Sequence, residues 1–104
     1  MAFDWVKCYY PLPDKQAQSL DFITQSTFCI LENYEISEQG RLILNLYDHN
    51  QNLFAKVDLC WHGTIKIYGE SQIDKNLWFA YNLIFIQGQL RKRIPSVPYW
   101  EKNS

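Results

Sequence analysis

The stretch that decides the fold is Gly40-Arg41-Leu42-Ile43-Leu44-Asn45-Leu46-Tyr47-Asp48-His49-Asn50-Gln51-Asn52-Leu53-Phe54-Ala55-Lys56-Val57-Asp58-Leu59. Leu42, Leu44 and Leu46 share one parity, and Arg41 and Asn45 take the other, which is the two-residue period of a strand with one buried face. The cluster Asp48-His49-Asn50-Gln51-Asn52 is rich in turn formers. After it the alternation resumes, with Leu53, Ala55, Val57, Leu59 and Trp61 expected inward and Lys56, Asp58, Cys60 and His62 outward. Two strands and a turn make a hairpin.

The same reading extends in both directions. Residues 3–10 are aromatic and β-favouring, and Pro11-Leu12-Pro13-Asp14 ends that ladder by withholding backbone donors. Residues 14–21 are polar and read as a loop. Phe28, Ile30, Tyr34 and Ile36 share a parity, and Gly40 supplies a positive-φ position for a hairpin into 41–47. Gly63 bends the chain before Ile65 and Ile67 resume the inward pattern. Residues 69–76 read as a loop. The run 77–86 is apolar on both parities, as in a strand covered on two faces, and Gln87-Gly88 turns it tightly into 89–94. Pro95 and Pro98 end the order, leaving 95–104 as a loosely packed tail on which Tyr99 and Trp100 can fold back. The expected architecture is a small, mainly β domain over 1–104: an antiparallel β-sandwich, open barrel or twisted sheet, with at most one short helix near 22–34.

Composition narrows the function classes. The chain has 104 residues, 47% hydrophobic, enough apolar surface for one core without disulfides or metal. Ten basic and eleven acidic side chains give a formal charge of −1, so no broad field attracts nucleic acid. Cys8, Cys29 and Cys60 are an odd set without paired spacing, which suits reduced thiols in the cytoplasm. The opening Met1-Ala2-Phe3-Asp4-Trp5 has no signal-like pattern, and no apolar run approaches the roughly 20 residues of a spanning helix.

Among constellations with chemistry, Asp58, Cys60 and His62 would line one strand face. A cysteine nucleophile needs its imidazole between thiol and carboxylate, whereas here the thiol stands in the middle. As a metal site the trio fails too, because Asp58 and His62 lie roughly 13 Å apart at strand rise. Cys8, Cys29 and His49 add donors without a zinc spacing. Glu32, Glu35 and Glu38 would form an acidic stripe on a helix, and an acidic surface suits a decoy for a basic nuclease site. Arg91-Lys92-Arg93 is the one dense basic cluster, read as edge protection in preference to phosphate binding. Trp5, Tyr47, Trp61, Trp78, Phe79 and Tyr81 sit among aliphatics and read as core. Residues 93–99, Arg-Ile-Pro-Ser-Val-Pro-Tyr, have the character of an extended polyproline-type ligand or, more simply, of a tail. No phosphate loop, nucleophile elbow or dinucleotide fingerprint is present.

Taken together, Phe3-Asp4, Tyr10-Pro11-Leu12-Pro13-Asp14, Phe22-Ile23-Thr24-Gln25, Cys29-Ile30-Leu31, Tyr34-Glu35-Ile36, Gly40-Arg41-Leu42, His62-Gly63 and Gly88-Gln89-Leu90 resemble a loose family of small bacterial and prophage-associated proteins. Their shared feature is a short strand followed by Tyr-Pro-Leu-Pro-Asp. The family often carries Phe-Gln-Thr-Lys where this chain has Phe22-Ile23-Thr24-Gln25. The resemblance implies a small β-rich fold and a setting near mobile elements and toxin genes.

The expected function is therefore that of an immunity protein, with no enzymatic activity, cofactor or metal, binding a cognate toxin domain in the cytoplasm. Alternatives are a phage accessory protein that inhibits a host defence enzyme, a thiol-dependent enzyme using Cys60 and His62, and a small nucleic-acid binder using Arg91, Lys92 and Arg93. The expected partner-binding residues are His49, Asp58, Glu70, Asp74, Arg91, Lys92 and Arg93. A homodimer through an edge strand is a further expectation.

Overall fold

The structure is a computed structural model that describes residues 2–74 and 76–96. Among these residues eight strands, β1 (Asp4–Cys8), β2 (Asp21–Thr24), β3 (Asn33–Ile36), β4 (Leu42–Tyr47), β5 (Leu53–Asp58), β6 (Gly63–Glu70), β7 (Trp78–Ile86) and β8 (Gln89–Pro95), form one sheet. Their order is β5-β4-β3-β1-β2-β6-β7-β8. The mainly β expectation is met as a single curled sheet that does not close into a barrel. Every neighbour is antiparallel except β1 and β3, which run parallel. Two meanders, β3-β4-β5 and β6-β7-β8, are thus joined through the β1–β2 pair.

The core lies on one face of this sheet. Val6, Cys8, Phe22, Tyr34, Ile36, Leu42, Ile65, Ile67, Tyr81, Leu83, Phe85 and Leu90 are buried there, and the β1–β2 connection adds Leu12, Ala17 and Leu20. The curl brings the first residues of β8 to the β3–β4 turn. There the Leu90 N–H donates to Gly40 O at 2.9 Å, and Gln89 Nε2 donates to Gln39 O at 2.6 Å.

The Tyr10-Pro11-Leu12-Pro13-Asp14 segment clasps the two meanders together. Leu12 is buried, Asp14 Oδ2 accepts the Tyr81 hydroxyl at 2.6 Å, and Pro11 O accepts from Arg93, whose guanidinium sits 5.4 Å from the Tyr10 ring centroid. Gln18 fills the space beneath it. Its Oε1 accepts from Leu12 N–H at 2.7 Å, and its Nε2 donates to Cys8 O at 3.1 Å and Tyr10 O at 3.0 Å.

Several local expectations change. Residues 14–21 are not simply polar loop: a 3-10 turn over Lys15–Ala17 buries Ala17, and Asp21 opens β2. No helix forms in 22–34, so Glu32, Glu35 and Glu38 share no helical stripe. Instead, residues 25–32 wrap around the Asp4 carboxylate, whose side chain is fully buried. Oδ2 accepts from Thr27 Oγ1 and from Cys29 N–H at 2.7 Å, while Oδ1 accepts from Ile30 N–H at 3.0 Å and Glu32 N–H at 2.9 Å. Satisfying those donors lets Cys29 and Leu31 hold positive φ angles of 59° and 60°. Phe28 and Ile30 consequently point outward at 62% and 64% exposure, against the parity that placed them with Tyr34 and Ile36.

β6 continues to Glu70, and β8 runs through Pro95, followed by a Ser96 N–H to Ala80 O bond of 2.8 Å. Pro95 sits at an edge, where its missing donor costs nothing. The remainder of the expected tail, residues 97–104 with Pro98, Tyr99 and Trp100, lies outside the described residues. β7 is covered fully on one face only: Tyr81, Leu83 and Phe85 are buried, while Asn82 and Ile84 are half-buried. Gln87 and Gly88, with φ of 49° and 88°, make the tight turn into β8. This is the primed geometry that suits strand twist.

Candidate functional site

The most developed surface lies on the sheet face away from the core, across β2, β1, β3, β4 and β5. The register aligns Trp5, Asn33, Asn45 and Lys56 in one row and Asp21, Lys7, Glu35 and Ile43 in the next. Because β1 alternates, burying Val6 and Cys8 forces Trp5, Lys7 and Tyr9 onto this outer face. Together they line an open depression of about 330 Å³ whose walls also include Asp21, Asn33, Glu35, Asn45 and Tyr47.

Its polar floor is tied together. Lys7 Nζ lies 3.2 Å from Asp21 Oδ1 and donates to Ser19 O at 3.0 Å. Glu35 Oε1 accepts from Lys56 and from Asn45 Nδ2, the latter at 3.0 Å, and Lys56 also reaches Asn45 Oδ1 at 3.2 Å. Partial burial alone would raise the Glu35 carboxyl, but the Lys56 and Asn45 hydrogen bonds outweigh it and hold the group below its ordinary range. Glu35 is thus a fixed charge, with its proton affinity lowered by partners that already occupy it.

Around this floor stand Trp5, Tyr9 and Tyr47, at 43%, 51% and 42% exposure. Trp5 is braced edge-to-face by Phe3, with ring centroids 4.9 Å apart. Trp5 and Tyr47 therefore do not belong to the core, as their aliphatic neighbours in sequence suggested. Exposed Leu53, which pairs with Tyr47 across β4 and β5, extends the apolar character beside it. Rigid aromatics around committed ion pairs form a surface suited to binding a macromolecule.

The residues expected from sequence are distributed differently. His49 is exposed in the β4–β5 turn, Glu70 ends β6, and Asp74 in the β6–β7 loop accepts from Asn76 N–H at 3.0 Å. Arg91, Lys92 and Arg93 are exposed on β8, the sheet edge opposite β5. The sheet does not gather these residues into one cluster. His49 follows Tyr47 by two residues, and Asp58 at the end of β5 pairs with Ile43 in the outer row of Lys7 and Glu35.

Asp58, Cys60 and His62 do not share a strand face, because β5 ends at Asp58 and Cys60 takes a φ of 48°. Asp58 Oδ2 accepts from Arg41 Nε at 2.7 Å, and Asp58 Oδ1 caps the Cys60 N–H at 2.9 Å. The Cys60 thiol contacts Arg41 Nη2 at 3.5 Å, and His62 Nδ1 accepts from Gln87 N–H at 3.0 Å. Thiol and imidazole thus have separate partners. Among the described residues no three His, Cys, Asp or Glu side chains converge as metal ligands, and no helix is long and apolar enough to cross a membrane.

Comparison with protein-family models, curated proteins and solved structures yields no match. What the sequence reading missed was the outer parity of β1. Trp5, Lys7 and Tyr9 share it, and a lysine between two aromatics is the signal of a face that is not buried.

Proposed function

We propose that this chain is a protein-binding module that serves as an immunity protein, docking on a toxin domain through the outer face built on Trp5, Tyr9 and Tyr47. The observation that carries the reading is the set of three half-exposed aromatic anchors around a hydrogen-bonded polar floor. Tryptophan and tyrosine supply large contact area with little rotamer entropy to lose, and they dominate binding energy where a partner desolvates them. Lys7, Asp21, Glu35 and Lys56 balance in charge, which favours a partner recognised by shape over one recognised by a single-signed field.

The small size of the chain and its single face of aromatic anchors support the immunity role. His49 and Asp58, near the ends of β5, would contribute at the rim, while Glu70, Asp74 and the Arg91, Lys92 and Arg93 cluster lie elsewhere on the sheet. The test is co-purification with the product of the adjacent open reading frame, together with protection of cells that express it. Capture that falls at least tenfold in Trp5→Ala and Tyr47→Ala, with unchanged melting, is the expected result. No capture and no protection by a folded sample would overturn the reading.

A further inference from the structure

The two edges of the sheet are built differently. β8 presents exposed Arg91, Lys92 and Arg93, and its register slips so that Arg91 is an extra residue, since Phe85 faces Leu90 while Ile84 faces Lys92. A run of three like charges around a bulge discourages another strand from adding, whereas the bulge of β5 lies at Phe54, outside its 55–58 stretch, and its Lys56 and Asp58 are of opposite sign. β5 instead exposes Leu53, Phe54 and Val57 at 45%, 64% and 40%. Among the described residues nothing pairs with its outer side.

The backbone of β5 is also set for pairing. Leu59 N–H donates to Leu42 O at 3.1 Å, and Leu44 faces Val57 while Leu46 faces Ala55. Alternation along an antiparallel pair directs the backbone groups of Ala55, Val57 and Leu59 toward β4. Those of Lys56 and Asp58 then point away from the sheet, with donors and acceptors free for another strand.

We propose that β5 pairs antiparallel with β5 of a second copy of this chain, about a two-fold axis at Val57. A two-fold axis normal to the sheet makes one residue face its own counterpart. With Lys56 at the axis two ammonium groups would oppose each other, and with Asp58 there two carboxylates would. With Ala55 at the axis Lys56 would meet the bulged Phe54. With Val57 at the axis, Lys56 of each copy faces Asp58 of the other, and both residues have their backbone groups directed outward.

Charge then alternates without interruption across the junction. Glu35 holds Lys56 in one copy, and Asp58 in the other copy is held by Arg41. On the opposite face Ala55, Val57 and Leu59 of both copies meet, covering apolar surface that is now partly exposed. This inference stands on the edge geometry alone and does not require the toxin-binding reading.

Sedimentation of the purified chain over a concentration series is the first test, and a reversible monomer–dimer equilibrium is expected. A monomer at every concentration up to hundreds of micromolar overturns the proposal, including the case in which β5 becomes protected only when a different protein is added. Register is tested by charge reversal. Asp58→Lys and Lys56→Asp, each shown to be folded by circular dichroism, should each self-associate about tenfold more weakly or worse, because two cross-strand pairs become repulsive. Mixed one to one they should form a heterodimer, since the axis at Val57 places unlike charges opposite again. Failure of the mixture to pair overturns this register. Val57→Cys in a Cys60→Ser background should link to itself on addition of copper phenanthroline as oxidant, and Ala55→Cys, which would face Leu59, should not. The reverse pattern overturns the axis.

Discussion

Replacing Asp4 with asparagine should destabilise the domain far more than its position near the start of a strand suggests. Four donors converge on the Asp4 carboxylate: Thr27 Oγ1 and Cys29 N–H on Oδ2, Ile30 and Glu32 N–H on Oδ1. In Asp4→Asn one oxygen serves one pair of donors, and the amide NH2 faces the other pair. Two hydrogen bonds to a charged acceptor are lost, at roughly 1.5–3 kcal/mol each. Partial relaxation of residues 27–32 toward water brings the expected loss to about 3 kcal/mol, a large share of the roughly 5–15 kcal/mol of a typical domain.

With a urea slope of about 1–3 kcal/mol/M, the midpoint should fall by about 1–3 M with the slope unchanged. Hydrogen exchange at Cys29, Ile30 and Glu32 should accelerate in the same variant. The pH dependence carries the same information. Burial raises the Asp4 carboxyl, but the bonds from Thr27 and from the Glu32, Cys29 and Ile30 backbone overcome it and set the folded value below the ordinary 3.8. The unfolded chain therefore takes up this proton first as pH falls. The contribution is fully present above about pH 4 and is lost as pH drops through the folded value. In Asp4→Asn that part of the acid sensitivity should disappear. A variant with a wild-type urea midpoint and wild-type acid unfolding would refute the account of the Asp4 loop.

Other perturbations have equally direct expectations. Gln18→Ala removes the partner of the Leu12 N–H and the amide donor to the Cys8 and Tyr10 carbonyls, of which Tyr10 O keeps the Cys8 thiol, so it should cost about 2 kcal/mol in urea melts; a cost below the measurement error would show that water replaces the amide. Gly88→Ala places a Cβ at a φ of 88° and 2.5 Å from Arg41 Nη2, and should lower stability by about 1–2 kcal/mol, read as a drop in Tm. In thiol labelling, exposed Cys60 should react in the native state. Cys8, whose thiol burial pushes up to about 11, should react only on unfolding. Equal rates would show that the core opens at β1.

Much of the strand plan was legible because burial on one face writes a two-residue period. The β4–β5 hairpin and the Gln87-Gly88 turn follow from that period and from turn chemistry, and both form. Other parts left no such trace. β2 spans only Asp21–Thr24, too short for a period to stand out, and its place beside β6 depends on contacts such as Thr24 Oγ1 to Lys66 O, 42 residues apart. The parallel β1–β3 contact is set by the loop around Asp4, and one aspartate in an aromatic run gives no sign that it will be buried.

The outer aromatic face was misread for a related reason. Trp5 and Tyr47 look like core residues wherever hydrophobic neighbours are counted, and only their parity, opposite to Val6 for Trp5 and shared with Asn45 for Tyr47, separates them from it. The Asp58, Cys60 and His62 alignment assumed a strand that continues. The left-handed turn at Cys60 is held by the Asp58 side chain, a tertiary choice that residue spacing does not encode.

The central position of β1 has a consequence for how the chain reaches this state. Each meander, β3-β4-β5 and β6-β7-β8, is assembled from neighbours in sequence and can zip by short loop closures. β1 pairs with β2 and β3, which follow it directly, so joining the halves requires β2 to find β6, made much later in the chain, and the slow step should be the docking of two preformed halves onto that seam. Substitutions at Ile23 or Val6 would then slow folding, whereas substitutions at the tips of β5 or β8 would mainly hasten unfolding.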